Sequence, residues 1–261
     1  PTLLMAANKT DRLADIAAGR CRVGIALSEA IGARLDAGIS VSGDRLNGKA
    51  LFALDAMADA YLVNGPNQSL YWVDSKDPGL TRTLLTTIDK TRTICELKLD
   101  QAEAVLIADA PEVLQTGLDA GRMAQAADSL GAAQCMLDQA VVYAGQREQF
   151  NRVIASFQAV KHMCAEMASQ LEPCRALVWY GGHALSEGND NARLTVCHAN
   201  AHLSEVAQFV ARTSTEVHGG MGFTDLVGLH YWFKRIGANR QLLGSPELVR
   251  EEAARIQMLV A

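Results

Sequence analysis

The sequence predicts an α+β chain: an antiparallel β-domain over residues 20–108, a helical domain over residues 109–261, and a short helical piece over residues 1–19 ahead of them. Two observations predict this. Up to about Ala108 the apolar residues come in short runs broken by turn signals. Tyr61-Leu62-Val63 runs into Asn64-Gly65-Pro66-Asn67, and Tyr71-Trp72-Val73 precedes Asp77-Pro78-Gly79, which is how strand, turn and strand are written. Beyond Asp109 the chain turns to long alanine-rich segments with helical spacing.

Taken in order, the first eighteen residues hold one helix-like piece, Thr10–Ala17. It has no partner element before the β-domain and could bury its apolar face only on something else, so it reads as the remnant of a larger N-terminal part. Further on, Cys95, Leu97 and Leu99 alternate with Glu96, Lys98 and Asp100, the period of a strand with one buried face. The helical domain opens with Asp109 as a cap, Pro111 in the first turn and Glu112 on the positive end of the dipole. Gly117 and Gly121 are possible break points, while Leu130 to Ala144 is good helix sequence. Helices from about Gln158 to Glu187 and from Asn189 to Val217, joined at Glu187-Gly188-Asn189-Asp190, should pack antiparallel. A last helix starts at Ser245-Pro246-Glu247 and is expected to bury Val249, Ala253, Ile256 and Val260.

Composition narrows the function classes. At 261 residues with 49% hydrophobic and 20% charged, the chain has enough apolar material for a sizeable core, which excludes disorder. No apolar run reaches transmembrane length, and Pro1 to Lys9 lack the plan of a secretory signal, so the expected compartment is the cytoplasm. A net charge of −5 without a basic, aromatic-interleaved stripe argues against nucleic acid. The six cysteines are scattered and form no C-x-x-C, as expected of reduced thiols.

Few residues suggest chemistry on their own. His198 and His202 share a helix face at metal-ligand spacing, but no glutamate stands between them and no third ligand is evident, so a structural pair, partly buried or interfacial, is expected. No G-x-S-x-G occurs. Arg147-Glu148-Gln149-Phe150 and Phe157-Gln158 offer a guanidinium fork and two amides beyond a long helix, a set that could hold a dinucleotide or simply end a charged helix. His218-Gly219-Gly220-Met221-Gly222-Phe223 would let backbone N–H groups approach an anion, although a glycine-rich helix stop looks the same.

Together these pieces resemble the acyl-CoA dehydrogenase family over nearly the whole chain. Arg147 to Phe150 with Gln158 eleven residues after Arg147 is similar to the family's R-x-Q-F-G and F-Q signature. His218 to Phe223 with Tyr231 and Arg235 is similar to its Q-x-H-G-G-x-G-F/Y segment and trailing arginine, Ala26-Leu27-Ser28-Glu29 to its A-L-T-E strand, and Thr91-Arg92 to its T-R pair. The resemblance implies a helical N-terminal domain, here largely missing, a β-barrel-like middle domain and a C-terminal four-helix bundle. It also implies FAD as cofactor. Leu27 and Ser28 would contact the flavin, and Arg147, Gln149 or Phe150, and Gln158 would hold the diphosphate and adenosine of a FAD belonging to a partner subunit. Gly219, Gly220 and Glu216 would line the same region, with Glu216 standing where the family has glutamine, an unfavourable charge beside a diphosphate.

The reaction implied is α,β-dehydrogenation of an acyl-CoA thioester, with an electron-transfer flavoprotein or similar acceptor. The family's glutamate base aligns with Leu243, and the alternative base position on the first long bundle helix aligns with Gly121. Neither side chain can accept a proton; Asp119 is the nearest carboxylate substitute. Flavin-partner residues kept and base lost is the pattern of one subunit of the heteromeric (α2β2) acyl-CoA dehydrogenases of bacterial steroid and cholesterol side-chain degradation, which the wording from His218 to Thr224 and Leu242-Leu243-Gly244-Ser245-Pro246 also resembles. The alternatives are a self-sufficient enzyme with a displaced base, Asp119 or another not recognised in the sequence, and a flavin-free scaffold subunit.

Overall fold

The computed structural model, which describes residues 1–27, 29–31 and 37–259, folds the alternating segments into an eight-stranded sheet and the alanine-rich segments into long helices. The chain divides into two compact units, residues 1–118 and 119–261. In the first, β1 (Val23–Ala26), β2 (Gly38–Ser42), β3 (Arg45–Leu54), β4 (Ala60–Asn64), β5 (Leu70–Asp74), β6 (Leu80–Leu85), β7 (Ile94–Glu103) and β8 (Val105–Ala108) run in the order β6-β7-β3-β1-β4-β5-β8, with β2 beside β3. The pairings among the described residues are antiparallel except one: β1 runs parallel to β4, Val23–Ala26 against Ala60–Val63. The chain reverses once between β1 and β3 and again between β3 and β4, so β4 returns in the direction of β1.

Both sequence signals for strands are realised. The 64–69 turn is closed by the Gly65 N–H donating to the Ser69 carbonyl at 2.8 Å and by Ser69 Oγ donating to the Pro66 carbonyl at 2.6 Å. Asn67 sits there at φ 53°, a conformation asparagine tolerates. In β7, Cys95, Leu97 and Leu99 are buried and pack with Leu46, Tyr61 and Val73, while Lys98 and Asp100 face out.

The N-terminal segment differs from expectation. It holds two short helices, α1 (Thr2–Ala6) and α2 (Leu13–Ala17), instead of one over Thr10–Ala17. Leu3 and Leu4 of α1 are buried, whereas α2 buries no residue; Arg12 lies 4.2 Å over the Trp72 ring. The apolar anchor of this segment is therefore the Leu3-Leu4 pair, which the sequence reading left out.

Helix α3 (Pro111–Gln146) passes through Gly117 and Gly121 without a break. Each glycine costs the helix about 1 kcal/mol relative to alanine, but both are sites of close approach. A Cβ on Gly117 would fall 2.2 Å from Leu3 Cδ2, and one on Gly121 would fall 2.5 Å from Leu243 Cδ1.

The second unit joins the rest of α3 to α4 (Gln158–Ser186), α5 (Ala192–His218), α6 (Leu229–Leu242) and α7 (Pro246–Ile256). The short 187–191 connection returns α5 against α4 as an antiparallel pair. Its core is built from Ala133 and Met136 of α3, Met167 and Leu171 of α4, Val196, Leu203 and Val210 of α5, and Ile236 of α6. Arg235 of α6 grips both oxygens of Asp128 on α3 at 2.7–3.0 Å. Asn239 Nδ2 adds bonds to Asp128 Oδ2 at 2.7 Å and Ser129 Oγ at 2.9 Å, so α6 is pinned to α3 by a charge-assisted fork.

Ser245 caps α7 by accepting from the Leu248 N–H, and Val249 and Ala253 pack on Cys197 and Ala201. Ile256, expected inside, is 37% exposed because it is the helix's final residue; Val260 lies outside the described residues. No helix among the described residues is long and apolar enough to cross a membrane.

Candidate functional site

The end of α3 and the end of α5 come together. The Arg147 N–H still donates to the Tyr143 carbonyl at 2.8 Å, after which a tight hairpin, β9 (Glu148–Gln149) paired with β10 (Arg152–Val153), turns the chain into α4. Its two turn residues, Phe150 and Asn151, have φ of 53° and 58°. That is the primed turn a two-residue hairpin requires, but a strained position for a bulky aromatic. Phe150 is 86% exposed, with its ring 6.1 Å edge-on from Phe157.

Opposite, α5 stops at His218 because Gly219 takes φ 58° and starts a short 3-10 turn, Gly219–Phe223. His218 is 3% exposed and its ring stacks on Tyr143 at 4.5 Å. Its Nδ1 lies 2.7 Å from the Ser214 carbonyl. A carbonyl only accepts, so Nδ1 carries the hydrogen and the neutral ring has its lone pair on Nε2.

Between these two ends lies a cavity of about 410 Å³. Arg147, Gln149, Gly219 and Gly220 line it together with Tyr143 and His218, and Ile154, Val217 and Met221 complete the wall. Among the described residues no carboxylate pairs with the Arg147 guanidinium. Nothing lies within 4 Å of where a Cβ on Gly219 or Gly220 would be, so this edge of the cavity is open beside the Arg147 guanidinium, a fork suited to a diphosphate; the Gly219 N–H itself donates to the Glu216 carbonyl.

The other sequence candidates stand elsewhere. Phe150, Gln158 and Glu216 do not line this cavity. Gln158, first residue of α4, is exposed with Nε2 3.5 Å from His162 Nε2, and Glu216 is exposed on α5. Leu27, just past β1, is buried at 6% exposure in the other unit; Ser28 lies outside the described residues. Tyr143 and His218 were missed as wall residues, although Tyr143 stands one turn before Arg147 on α3, the spacing that puts two side chains on one face. His198 and His202 are both exposed, and no metal-ligand cluster occurs among the described residues.

A second convergence concerns the positions aligned with the family's bases. Leu243, immediately after α6, lies against Gly121 of α3. The Leu243 carbonyl accepts from Arg122 Nε at 3.0 Å, and Gly244 follows at φ 105°. Arg122 is 2% exposed; its Nη1 donates to Glu252 Oε2 at 2.7 Å, while Arg193 Nη2 donates to Glu252 Oε1 at 2.5 Å. Asn200 Nδ2 donates to the Arg122 carbonyl at 3.1 Å. Burial alone would raise the Glu252 carboxyl, but the Arg193 hydrogen bond and the Arg122 charge and hydrogen bond outweigh it and hold it below its usual range. Burial, reinforced by Glu252 and by Asp119, pushes the nearby Cys197 thiol up to about 11. Asp119 is itself buried at 6% exposure.

The chain thus carries a sheet unit followed by a helical unit, with a cavity edged by Arg147 and two glycines where two helices end. Residues 112–258 match the family described as "Acyl-CoA dehydrogenase, C-terminal domain", and the chain belongs to the acyl-CoA dehydrogenase family, an FAD-dependent oxidoreductase class. It is similar to acyl-CoA dehydrogenase IpdE2 of Mycobacterium tuberculosis, 33% identical over 213 residues covering 77% of this chain and 61% of that one. It is also similar to the caffeyl-CoA reductase-Etf complex subunit CarC of Acetobacterium woodii, 39% identical over 106 residues, 41% of this chain and 28% of CarC. The matched stretches thus span less than two thirds of either relative. Among solved structures, a variant of the Tcur3481-Tcur3483 steroid ACAD superposes with a TM-score of 0.87 at 26% identity, covering 99% of this chain and 74% of that one.

Proposed function

We propose that this chain is a subunit of an FAD-dependent acyl-CoA dehydrogenase, that it supplies part of an FAD site across a subunit interface, and that a homologous subunit supplies the base, in an α2β2 assembly. The observation that carries the reading is the contact between Leu243 and Gly121: the two positions at which the family resemblance expects a carboxylate adjoin each other, and neither bears a group that accepts a proton.

In the reaction, an acyl-CoA thioester loses its α-proton to a carboxylate and its β-hydrogen as hydride. FAD, when bound, supplies the hydride acceptor. This chain's part is binding. Arg147 would grip the diphosphate through its planar fork, Gly219 and Gly220 would let the ligand approach the backbone without a Cβ in the way, and Gln149 would read the adenosine edge. Phe150, strained and exposed at the hairpin tip, suits contact with a neighbouring subunit. The carboxylate that removes the α-proton would come from the homologous subunit. A steroid side-chain thioester is the substrate class supported by the likeness to a steroid ACAD, and an electron-transfer flavoprotein the acceptor supported by the likeness to a subunit of a reductase-Etf complex.

The rival readings make different predictions. If Asp119 were the base, Asp119→Asn should lower anaerobic flavin reduction by acyl-CoA by about 10²–10⁴-fold with assembly and flavin content intact; the proposal expects almost no change, with the loss following instead from removal of the partner's carboxylate. A flavin-free scaffold would give a colourless complex on co-expression with the homologous subunit, whereas the proposal expects bound FAD.

A further inference from the structure

We propose that the sheet unit carries an anion site of its own, a cleft between β2, β3 and β7 that takes the phosphate of a small phosphomonoester bearing hydroxyl groups. The inference goes beyond the dinucleotide reading and does not depend on it, since every residue lining the cleft lies within 37–100 of this chain.

The cleft has a volume of about 540 Å³, inside the roughly 300–1,000 Å³ of small-molecule sites. Lys49 of β3 and Lys98 of β7 both line it, and they are register partners, directly opposite each other on antiparallel strands. Like charges so placed destabilise a sheet, whereas a ligand that accepts from both turns the same pair into a grip. Lys49 Nζ lies 3.3 Å from Glu96 Oε1, which stands outside the lining; Lys98 is exposed and among the described residues has no ion-pair or hydrogen-bond partner. Asn47 adds a third donor. Its Oδ1 accepts from the Gln101 N–H at 2.8 Å and from Gln101 Nε2 at 3.0 Å, which fixes the direction of the amide and leaves Nδ2 without a partner among the described residues. Gln101 reaches Asn47 because the pairing of β3 and β7 shifts register there, with Gln101 at φ 53°. Two glycines keep the floor clear: Gly38, register partner of Lys49, has no side chain, and a Cβ on Gly48 would fall 2.0 Å from the Gly38 carbonyl.

This donor set selects the ligand's chemistry. Two ammonium groups and an amide N–H pair approach from different sides, and a phosphate offers charged oxygens in tetrahedral directions that can accept from all three, with lysine acting as a point charge. An ammonium carries three N–H donors, so Lys49 can keep Glu96 and still meet a phosphate oxygen. Asp100 is the one carboxylate in the lining among the described residues; it follows Lys98 by two positions on β7, and is exposed. A carboxylate only accepts, so it repels a bare phosphate and favours a ligand that brings hydroxyl groups to it. The cleft therefore has a donor side for the phosphate and an acceptor side for the carbon skeleton, which is the layout of a hydroxylated phosphomonoester. The step is binding alone, with no bond made or broken.

The test is equilibrium dialysis of the full chain against radiolabelled inorganic phosphate at constant ionic strength, carried out in an Arg147→Ala background so that the other cation-lined cavity does not count. Saturable binding of one phosphate per chain is expected. Lys98→Met keeps the aliphatic stem and removes the charge, and Asn47→Asp keeps the acceptor for Gln101 and removes the donors. Each should weaken binding by on the order of tenfold or more, the loss of one charge-assisted bond, and a thermal melt of each variant controls for folding. Unlabelled glycerol 3-phosphate should displace the tracer at lower concentration than unlabelled phosphate does, and Asp100→Asn should erase that advantage while tightening phosphate itself. No saturable binding, or binding unchanged in both Lys98→Met and Asn47→Asp, overturns the site as an adventitious ion only. Phosphate competing better than the ester, or an ester advantage that survives Asp100→Asn, overturns the assignment of the ligand. Neither result touches the dinucleotide reading, which stands or falls on Arg147.

Discussion

Removing the Arg147 guanidinium should weaken FAD binding while leaving the fold untouched. In the described structure this side chain is exposed and pairs with no carboxylate, so Arg147→Ala orphans nothing and fills nothing. Its backbone role, the N–H bond to Tyr143 at 2.8 Å and the Ile154 N–H bond to its carbonyl at 2.8 Å, is kept by alanine. The thermal midpoint should therefore stay within the scatter of surface substitutions, about 0.5 kcal/mol. Against a diphosphate the same side chain makes charge-assisted bonds worth about 1.5–3 kcal/mol, which is roughly a 10- to 100-fold rise in Kd at 1.4 kcal/mol per decade. Flavin fluorescence during titration of the flavin-free complex with the homologous subunit measures the Kd, and a thermal melt of the same sample controls for folding. Arg147→Lys should recover only part of the loss, because an ammonium keeps the charge and lacks the fork. An unchanged Kd in Arg147→Ala would remove Arg147 from the site and, with it, the anion reading of the cavity.

Two further substitutions test the second convergence. Glu252→Gln leaves buried Arg122 without its ionic partner and should destabilise by about 3–5 kcal/mol, read by denaturant unfolding. Because the folded-state Glu252 carboxyl lies below its usual value near 4.5, its contribution is present above that value and is lost as pH falls through the lower folded one, so the wild type should lose stability on acidification more steeply than Glu252→Gln; equal slopes would contradict the assignment. Gly121→Ala gains about 1 kcal/mol of helix propensity but displaces Leu243, whose Cδ1 would lie 2.5 Å from the new Cβ. It should be near neutral in the wild type and stabilising by about 1 kcal/mol in a Leu243→Ala background, and identical effects in both backgrounds would show that the two residues do not touch.

Much of the fold could be read because it is written locally. The change of period near Asp109, the turn at Asn64–Asn67 and the alternation through Cys95, Leu97 and Leu99 each depend on neighbours in the chain, and each appears in the structure where the pattern put it. What could not be read depends on the third dimension. Gly117 and Gly121 look like helix breaks until Leu3 and Leu243 are found filling the space a Cβ would need. Ile256 has the right period but no further turn of helix beyond it. Within the candidate site, Arg147, Gln149, Gly219 and Gly220 converge, whereas Gln158 and Glu216, drawn from the same two segments, point elsewhere. Segment-level patterns select a stretch of chain; which side of it faces the cavity is set by packing.

The layout of α3 bears on why two subunits would be needed. Gly121 sits near one end of this helix and Tyr143 near the other, 22 residues apart, or roughly 33 Å at 1.5 Å per residue. The position aligned with the base is thus far from the cavity wall at the helix's opposite end, and α6, pinned to α3 through Asp128 and Arg235, keeps Leu243 at the Gly121 end. A rigid helix cannot shorten that distance, and an extended dinucleotide does not bridge it. On the proposed reading, then, the diphosphate gripped by Arg147 belongs to a different catalytic centre from the one beside Gly121 and Leu243. Loss of a carboxylate at the latter would leave the former intact, so a chain can lose its own base and still complete the cofactor site of its neighbour. In a co-expressed complex, Arg147→Ala here should deplete flavin at the centre whose base lies in the homologous subunit, and activity should fall in proportion to flavin content. Full activity with depleted flavin would show that the depleted centre was never the working one.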